Sequence, residues 1–194
     1  IAMNIRNAPF NDIRVREAVA LGLDKLGYIA AVSQGLGVVA GYIPPDTGFD
    51  LSESELRKIS GYSTDREANI ARAKELLAEA GFPDGFKTNF LVRNIGVYVD
   101  SNVFMQANMA DIGITGELDL LDSAQYFDAL FGTDDPRWTI TARAHRTAFP
   151  DPNGAYIAYH LCGAGRNLTG LCDDRLEGLF AAQNLEVTDP AKRL

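Results

Sequence analysis

The chain has 194 residues, 46% of them hydrophobic, and a formal net charge of -8. That length supports one sizeable core, and that composition is globular rather than disordered. The acidic balance opposes nucleic acid and anionic membrane surfaces, because the largest basic cluster is only Arg143, His145 and Arg146. No apolar run approaches the roughly 18 residues of a membrane-spanning helix.

The chain opens strand-like at Ile1-Ala2-Met3-Asn4, without a leader pattern. The first helix is expected from Ile13 to Leu21 with Asp12 as its N-cap, and a second from about Lys25 to Ser33. A loop follows over Gly35 to Gly41, extended by the turn Ile43-Pro44-Pro45-Asp46. Ser52-Glu53-Ser54-Glu55 has capping-box spacing and predicts a short helix ending near Gly61. Thr64-Asp65-Arg66-Glu67 repeats that spacing and opens the clearest helix, through Ile70, Ala73, Leu77 and Ala80 to a stop at Gly81. The period then changes. Thr88 to Val92 is a predicted strand, and Tyr98 to Ile112 a helix with Val99, Val103, Ala107 and Ala110 on one side. Glu117 to Leu120 alternates as a strand, and Ser123 is expected to cap a short helix through Tyr126, Phe127 and Leu130. Trp138 to Arg146 alternates most regularly, with Trp138, Ile140, Ala142 and Ala144 expected on the core face and Thr139, Thr141, Arg143 and His145 on the other. A last helix runs from Asp173 to Leu185. The closing Pro190-Ala191-Lys192-Arg193-Leu194 reads as the first turn of a further helix, so a fragment of a longer protein is expected. Helices alternating with strands predict an α/β fold with a mixed sheet flanked by helices, and the absence of a linker or repeat favours a single domain over residues 1–194.

The chemistry-bearing residues are sparse. Gly35-Leu36-Gly37 with Gly41 lacks the third glycine of a dinucleotide loop and follows a helix where such a loop follows a strand. Ser33 lacks the Gly-x-Ser-x-Gly frame of a nucleophile elbow. Cys162 and Cys172 admit three readings: a disulfide across a short loop in an exported protein, two free thiols, or metal ligands with His160 and His145. Their spacing is looser than a zinc knuckle. Asp134-Asp135 and Asp173-Asp174 read as caps and solvated charge. Asn167-Leu168-Thr169 is a glycosylation sequon by letter. Arg143 and His145 share a strand face that is either a polar sheet surface or a cleft wall.

The order of segments carries a resemblance. Asn4 and then Pro9-Phe10-Asn11-Asp12-Ile13-Arg14-Val15-Arg16-Glu17-Ala18 resemble the opening of the second lobe in family 5 extracellular solute-binding proteins, the class of the dipeptide-, oligopeptide- and nickel-binding proteins. Leu23-Asp24-Lys25, the Gly35 to Pro45 loop, and Ala73-Lys74-Glu75-Leu76-Leu77-Ala78-Glu79-Ala80-Gly81 with Asp84-Gly85-Phe86 continue it in order. So do Gln106 with Ile112-Gly113-Ile114, Phe149-Pro150-Asp151-Pro152, and Asn167 to Leu176.

The resemblance implies one lobe of a type II periplasmic binding protein-like fold, most of the second lobe, with the first lobe of the same chain absent. It implies a protein at the periplasmic or extracellular face of the membrane that holds a small-molecule or peptide ligand between two lobes and delivers it to a cognate ABC permease. No catalytic residue, metal or cofactor is implied, nor a nucleic-acid partner, and the full-length form is expected as a monomer. The ligand-facing residues would be Arg93, Asn94, Arg143, His145, Arg146, Phe149 and Asp151, and export favours a Cys162–Cys172 disulfide. Three departures from the family pattern stand out. Ala148 takes the place of an aspartate that pairs with a peptide amino terminus. Thr141 to Arg146 replace a tryptophan-rich strand. Arg93 lies near an arginine that in some dipeptide binders holds the ligand carboxylate. These departures favour an anionic or neutral polar solute, or a peptide held by its carboxylate end. Two other classes compete: a hydrolase or transferase using Cys162 or Cys172 with a histidine, separable by thiol reactivity, and a ligand-sensing domain on the same fold.

Overall fold

The structure, a computed structural model, describes residues 1–132, 137–144 and 151–186. In chain order these form β1 (Ala2–Met3), α1 (Ile13–Gly22), α2 (Lys25–Ala31), α3 (Glu53–Leu56), α4 (Arg66–Glu79), β2 (Phe86–Lys87), β3 (Phe90–Arg93), α5 (Gly96–Asp111), β4 (Ile114–Thr115), β5 (Leu118–Leu121), α6 (Ser123–Phe131), β6 (Ile140–Thr141), α7 (Pro152–Tyr159) and α8 (Asp174–Leu185). They fall into two compact units, each discontinuous in sequence: residues 1–39 with 57–144, and residues 40–56 with 145–194.

The first unit is a layered α/β structure around a mixed four-stranded sheet of order β1-β6-β3-β5. β3 runs parallel to β5, with Phe90 opposite Leu118 and Arg93 opposite Leu121, and parallel to β6, with Phe90 opposite Ile140. β1 adds antiparallel to β6. Upstream, β2 and β4 form a second parallel pair leading into β3 and β5. The bend between the two pairs lies at Gly116, where a Cβ would run into the Thr88 carbonyl, so only glycine fits.

Phe90, Val92, Ile140 and Ala142 line one sheet face and pack with Met105, Met109 and Ile112 from α5 and its C-cap. The same core takes Val15, Ala18 and Val19 of α1 and Ala73, Leu76 and Leu77 of α4, with Phe10 sealing it edge-on against Phe86 at 5.9 Å. α4 stops as its composition requires: Gly81 takes φ +95, and the Phe82 amide donates to Leu77 O at 2.8 Å, a left-handed helix end that favours glycine.

Four expectations are corrected. The N-caps of α4 and α6 are Asp65 and Asp122, not Thr64 and Ser123, since a carboxylate accepts from the helix amides in both. α3 ends at Leu56 rather than near Gly61. α5 turns a different side inward. Ser101, Asn102, Met105, Asn108 and Met109 are buried, while Val103, Ala107 and Ala110 face solvent. The strand read over Trp138 to Arg146 pairs only at Ile140–Thr141. Trp138, Ile140 and Ala142 are buried as expected, but so is Thr141, and Ala144 is exposed. His145 and Arg146 lie outside the described residues.

The second unit contains α3, α7 and α8. Tyr42 packs edge-on against His160 at 4.5 Å, and Tyr156 lies against His160 and Phe180. Cys162 and Cys172 are joined as a disulfide. Asn167 fills the loop that it closes, donating to Leu161 O and Leu171 O and accepting from the Gly170 amide. Glu177 of α8 accepts from the Cys162 amide at 2.7 Å. Among the described residues, no helix is long and apolar enough to cross a membrane.

Candidate functional site

The connections of the first unit part at the carboxyl edge of its sheet. β3 leads into α5, which packs on the face of Phe90 and Val92. Its neighbour β5 leads into α6, which covers the opposite face, where Tyr126 Oη meets Thr141 Oγ1 at 3.2 Å. Loops leaving adjacent parallel strands toward opposite faces open space between them, and open α/β sheets take their ligands there.

Arg93 stands at this point as the last residue of β3, half-buried. Its Nε donates to Ser123 Oγ at 2.9 Å. Its guanidinium lies 5.0 Å from the Phe127 ring centre and 5.6 Å from that of Tyr98, distances at which a cation is drawn to an aromatic face. The group is held through one edge, and its terminal nitrogens have no carboxylate partner among the described residues. Asn94 follows, exposed, with its amide donating to Leu121 O at 2.8 Å. α5 then begins with Ile95 as N-cap and no side-chain acceptor for its first amides, so unsatisfied donors also sit at this edge.

Arg143, half-buried, lies two residues past the end of β6. Burial raises the pKa of the Tyr126 phenol, while the bond to Thr141 and the positive charges of Arg143 and Arg93 pull it down. Both guanidiniums therefore bear on one buried phenol. Neither makes an ion pair among the described residues; Asp122, the carboxylate that begins α6, accepts from the Ala124 and Gln125 amides.

The remaining candidates separate. Asp151 belongs to the second unit, where it caps α7 by accepting from the Asn153 amide at 2.9 Å. His145, Arg146 and Phe149, and Ala148 with them, lie outside the described residues. The Cys162–Cys172 bond overturns the thiol-enzyme reading, since a cystine sulfur has no thiolate to attack with. It equally removes both sulfurs from a metal site with His160. The residues that shape Arg93 were missed by sequence reasoning. The sequence marks Ser123 as a cap and Tyr98 and Phe127 as helix members; only the adjacency of Asp122 to Ser123, two competing caps, hints that one side chain is free for another partner.

The protein-family description "Bacterial extracellular solute-binding proteins, family 5 Middle" matches residues 1–167. The chain is 39% identical over 95 residues to Heme-binding protein A of Haemophilus influenzae, covering 49% of this chain and 16% of that protein. It is 29% identical over 127 residues to Glutathione-binding protein GsiB of Salmonella choleraesuis, covering 64% of this chain and 23% of that protein. The solved structure of the periplasmic binding protein AgaA from A. tumefacien R10, in complex with agropinic acid, superposes over 99% of this chain and 38% of its own at a TM-score of 0.78 and 26% identity. The chain thus spans well under half of the length of these relatives. With that description covering most of the chain, the sheet and the residues around Arg93 included, the chain belongs to the family 5 bacterial extracellular solute-binding proteins.

Proposed function

We propose that this chain is most of the second lobe of the solute-binding component of an ABC importer. It captures a small polar or peptide-like solute between two lobes at the periplasmic or extracellular face and hands it to a membrane permease. The first lobe, on the same polypeptide, supplies the other wall, and the full-length protein works as a monomer. The observation that carries this reading is Arg93 at the sheet's switch point, fixed by Ser123 and two aromatic rings, with no carboxylate partner among the described residues. A charged group held rigid without a counter-ion is arranged for a ligand. In this role Arg93 takes the carboxylate end of the solute, and Asn94 lies beside it.

Relatives that are named for heme and glutathione, and one solved with agropinic acid, support a receptor scaffold whose ligand is set by local side chains rather than by the fold. The reading needs neither cofactor nor catalytic residue, and binding rather than catalysis is its whole chemistry. Small-angle scattering on the two-lobed protein tests it. Titration with peptides and organic acids is expected to shrink the radius of gyration as the lobes close on a bound solute. A scattering curve unchanged by every solute, with no heat of binding by calorimetry, would sink the receptor reading.

A further inference from the structure

β3 and β6 run parallel side by side, paired at Phe90–Ile140, and each is followed by an arginine: Arg93 ends β3, and Arg143 lies two residues beyond the end of β6. Val92 and Ala142, the residues before the two arginines, pack into one core. α6 covers the opposite sheet face, where Tyr126 meets Thr141 and feels the charge of both arginines. This edge thus carries two cations: one guanidinium clamped by Ser123, Phe127 and Tyr98, and a second just past the neighbouring strand, with the uncapped amides of α5 following the first.

We propose that Arg93 and Arg143 together receive a doubly anionic end group of the solute, so that Arg143 selects dianions over the monoanions that Arg93 alone would accept. The proposal rests on the solute-receptor reading and narrows its ligand class. Charge balance is the argument. Two guanidiniums at one edge of the sheet repel each other, and a single carboxylate compensates only one. When the cleft closes and water leaves, the other becomes an uncompensated buried charge, which costs several kcal/mol. A second negative charge removes that cost, and the planar fork of each arginine matches a carboxylate or phosphoryl edge. The influence of both charges on the Tyr126 phenol agrees with their sharing one locality.

The test uses the two-lobed protein at constant ionic strength and matched pairs of probes: succinate against succinamate, alanylglutamate against alanylglutamine, and inorganic phosphate. Calorimetry is expected to give each diacid an affinity at least about tenfold above its half-amide. Phosphate binding without the diacids would assign the site to phosphoryl groups, and the reverse to dicarboxylates; either supports the pair. Arg143→Gln is expected to abolish the gap, Arg143→Lys to restore part of it, and Arg93→Gln to weaken diacid and half-amide alike. Ligand-free melting temperatures check that each variant folds, and Arg143→Lys stands in if Arg143→Gln does not. Equal affinity for a diacid that does bind and its half-amide, a gap that survives Arg143→Gln, or no binding of any dianion overturns the proposal. If neutral or singly charged peptides still close the lobes in scattering, the receptor reading stands and only the pairing of the arginines falls.

Discussion

Aspartate is the recurring device at the residue scale. Asp12, Asp24, Asp65, Asp122, Asp151 and Asp173 each begin a helix by accepting from one of its first amides. Part of the chain's acidity is therefore architectural, because a carboxylate there satisfies orphan donors and meets the positive end of the helix dipole. Asp65→Ala is expected to destabilise the protein by about 1 kcal/mol, read as a lower urea midpoint with unchanged slope; Asp65→Asn, which keeps the acceptor, should recover most of it. Ser or Thr beside Asp is where the sequence misleads. Thr64 and Ser123 fit a capping pattern by letter, but the adjacent carboxylate is the stronger acceptor and wins, which in the second case frees Ser123 for Arg93.

His160 offers a pH test at the same scale. Packed among Tyr42 and Tyr156, it is desolvated, and burial lowers its pKa below the ordinary value of about 6.5. The unfolded chain then binds its proton more readily than the folded one. Stability is full above the ordinary histidine value and is lost as pH falls from there toward the lowered folded value. Denaturant midpoints measured across that window should fall with acid in the wild type and stay flatter in His160→Gln. An unchanged slope in the variant would move the effect to other groups.

At the scale of elements, α5 shows what periodicity leaves out. Its apolar Val103, Ala107 and Ala110 suggested the buried side, yet the core receives Asn102 and Asn108. Asn102 is fully buried because it acts as a strand partner. Its amide donates to Ala142 O at 2.9 Å and accepts from Ala142 N at 2.9 Å, and also donates to Tyr98 O. β6 consequently leaves β3 after Thr141 and meets a side chain in place of a backbone, so the alternation over Trp138 to Arg146 is real in the residues but not in the pairing. No pattern rule weighs an asparagine as inward-facing; only the fold brings it to an unpaired edge. Removing it strands the Ala142 amide and carbonyl, and Asn102→Ala is expected to cost roughly 2–4 kcal/mol by denaturant unfolding. Loss below about 0.5 kcal/mol would mean that water replaces the clamp.

For the whole molecule, chemistry and architecture were legible to different depths. The mixed sheet, the helix order and the family all lay in the ordered motifs from Pro9 to Leu176. Arg93 was readable as a strand-end arginine. The presence of Arg143 past the neighbouring strand was not, since the pairing of β3 with β6 is a long-range fact that a local pattern cannot hold. The division into two units was equally hidden, because each is assembled from separated stretches with no linker between them. Among its described residues the second unit buries few large apolar side chains, with Leu56 and Leu168 among them, so covalent closure matters more there. The Cys162–Cys172 bond, spanning 10 residues, is expected to contribute about 2–3 kcal/mol. Reduction should raise amide exchange in the loop around Asn167 and at the start of α8, where Cys162 is tied to Glu177.

The proposed division of the binding site across two lobes leads to the last expectation. This chain matches 38% of the length of a solved relative while being covered almost entirely itself, so a cleft between lobes would have half its wall elsewhere on the polypeptide. Affinity in such receptors comes from contacts on both sides and from closure that expels water around the charged groups. A single face leaves Arg93 and Arg143 hydrated, and a hydrated guanidinium gains little from exchanging water for a carboxylate. The 194-residue chain alone is therefore expected to bind diacids with a dissociation constant of about a millimolar or weaker, and the two-lobed protein near a micromolar, a difference of about 4 kcal/mol. Calorimetry on the two forms side by side decides the matter. Micromolar binding by the chain alone would place the whole recognition site on this lobe and reduce the partner lobe to a cover.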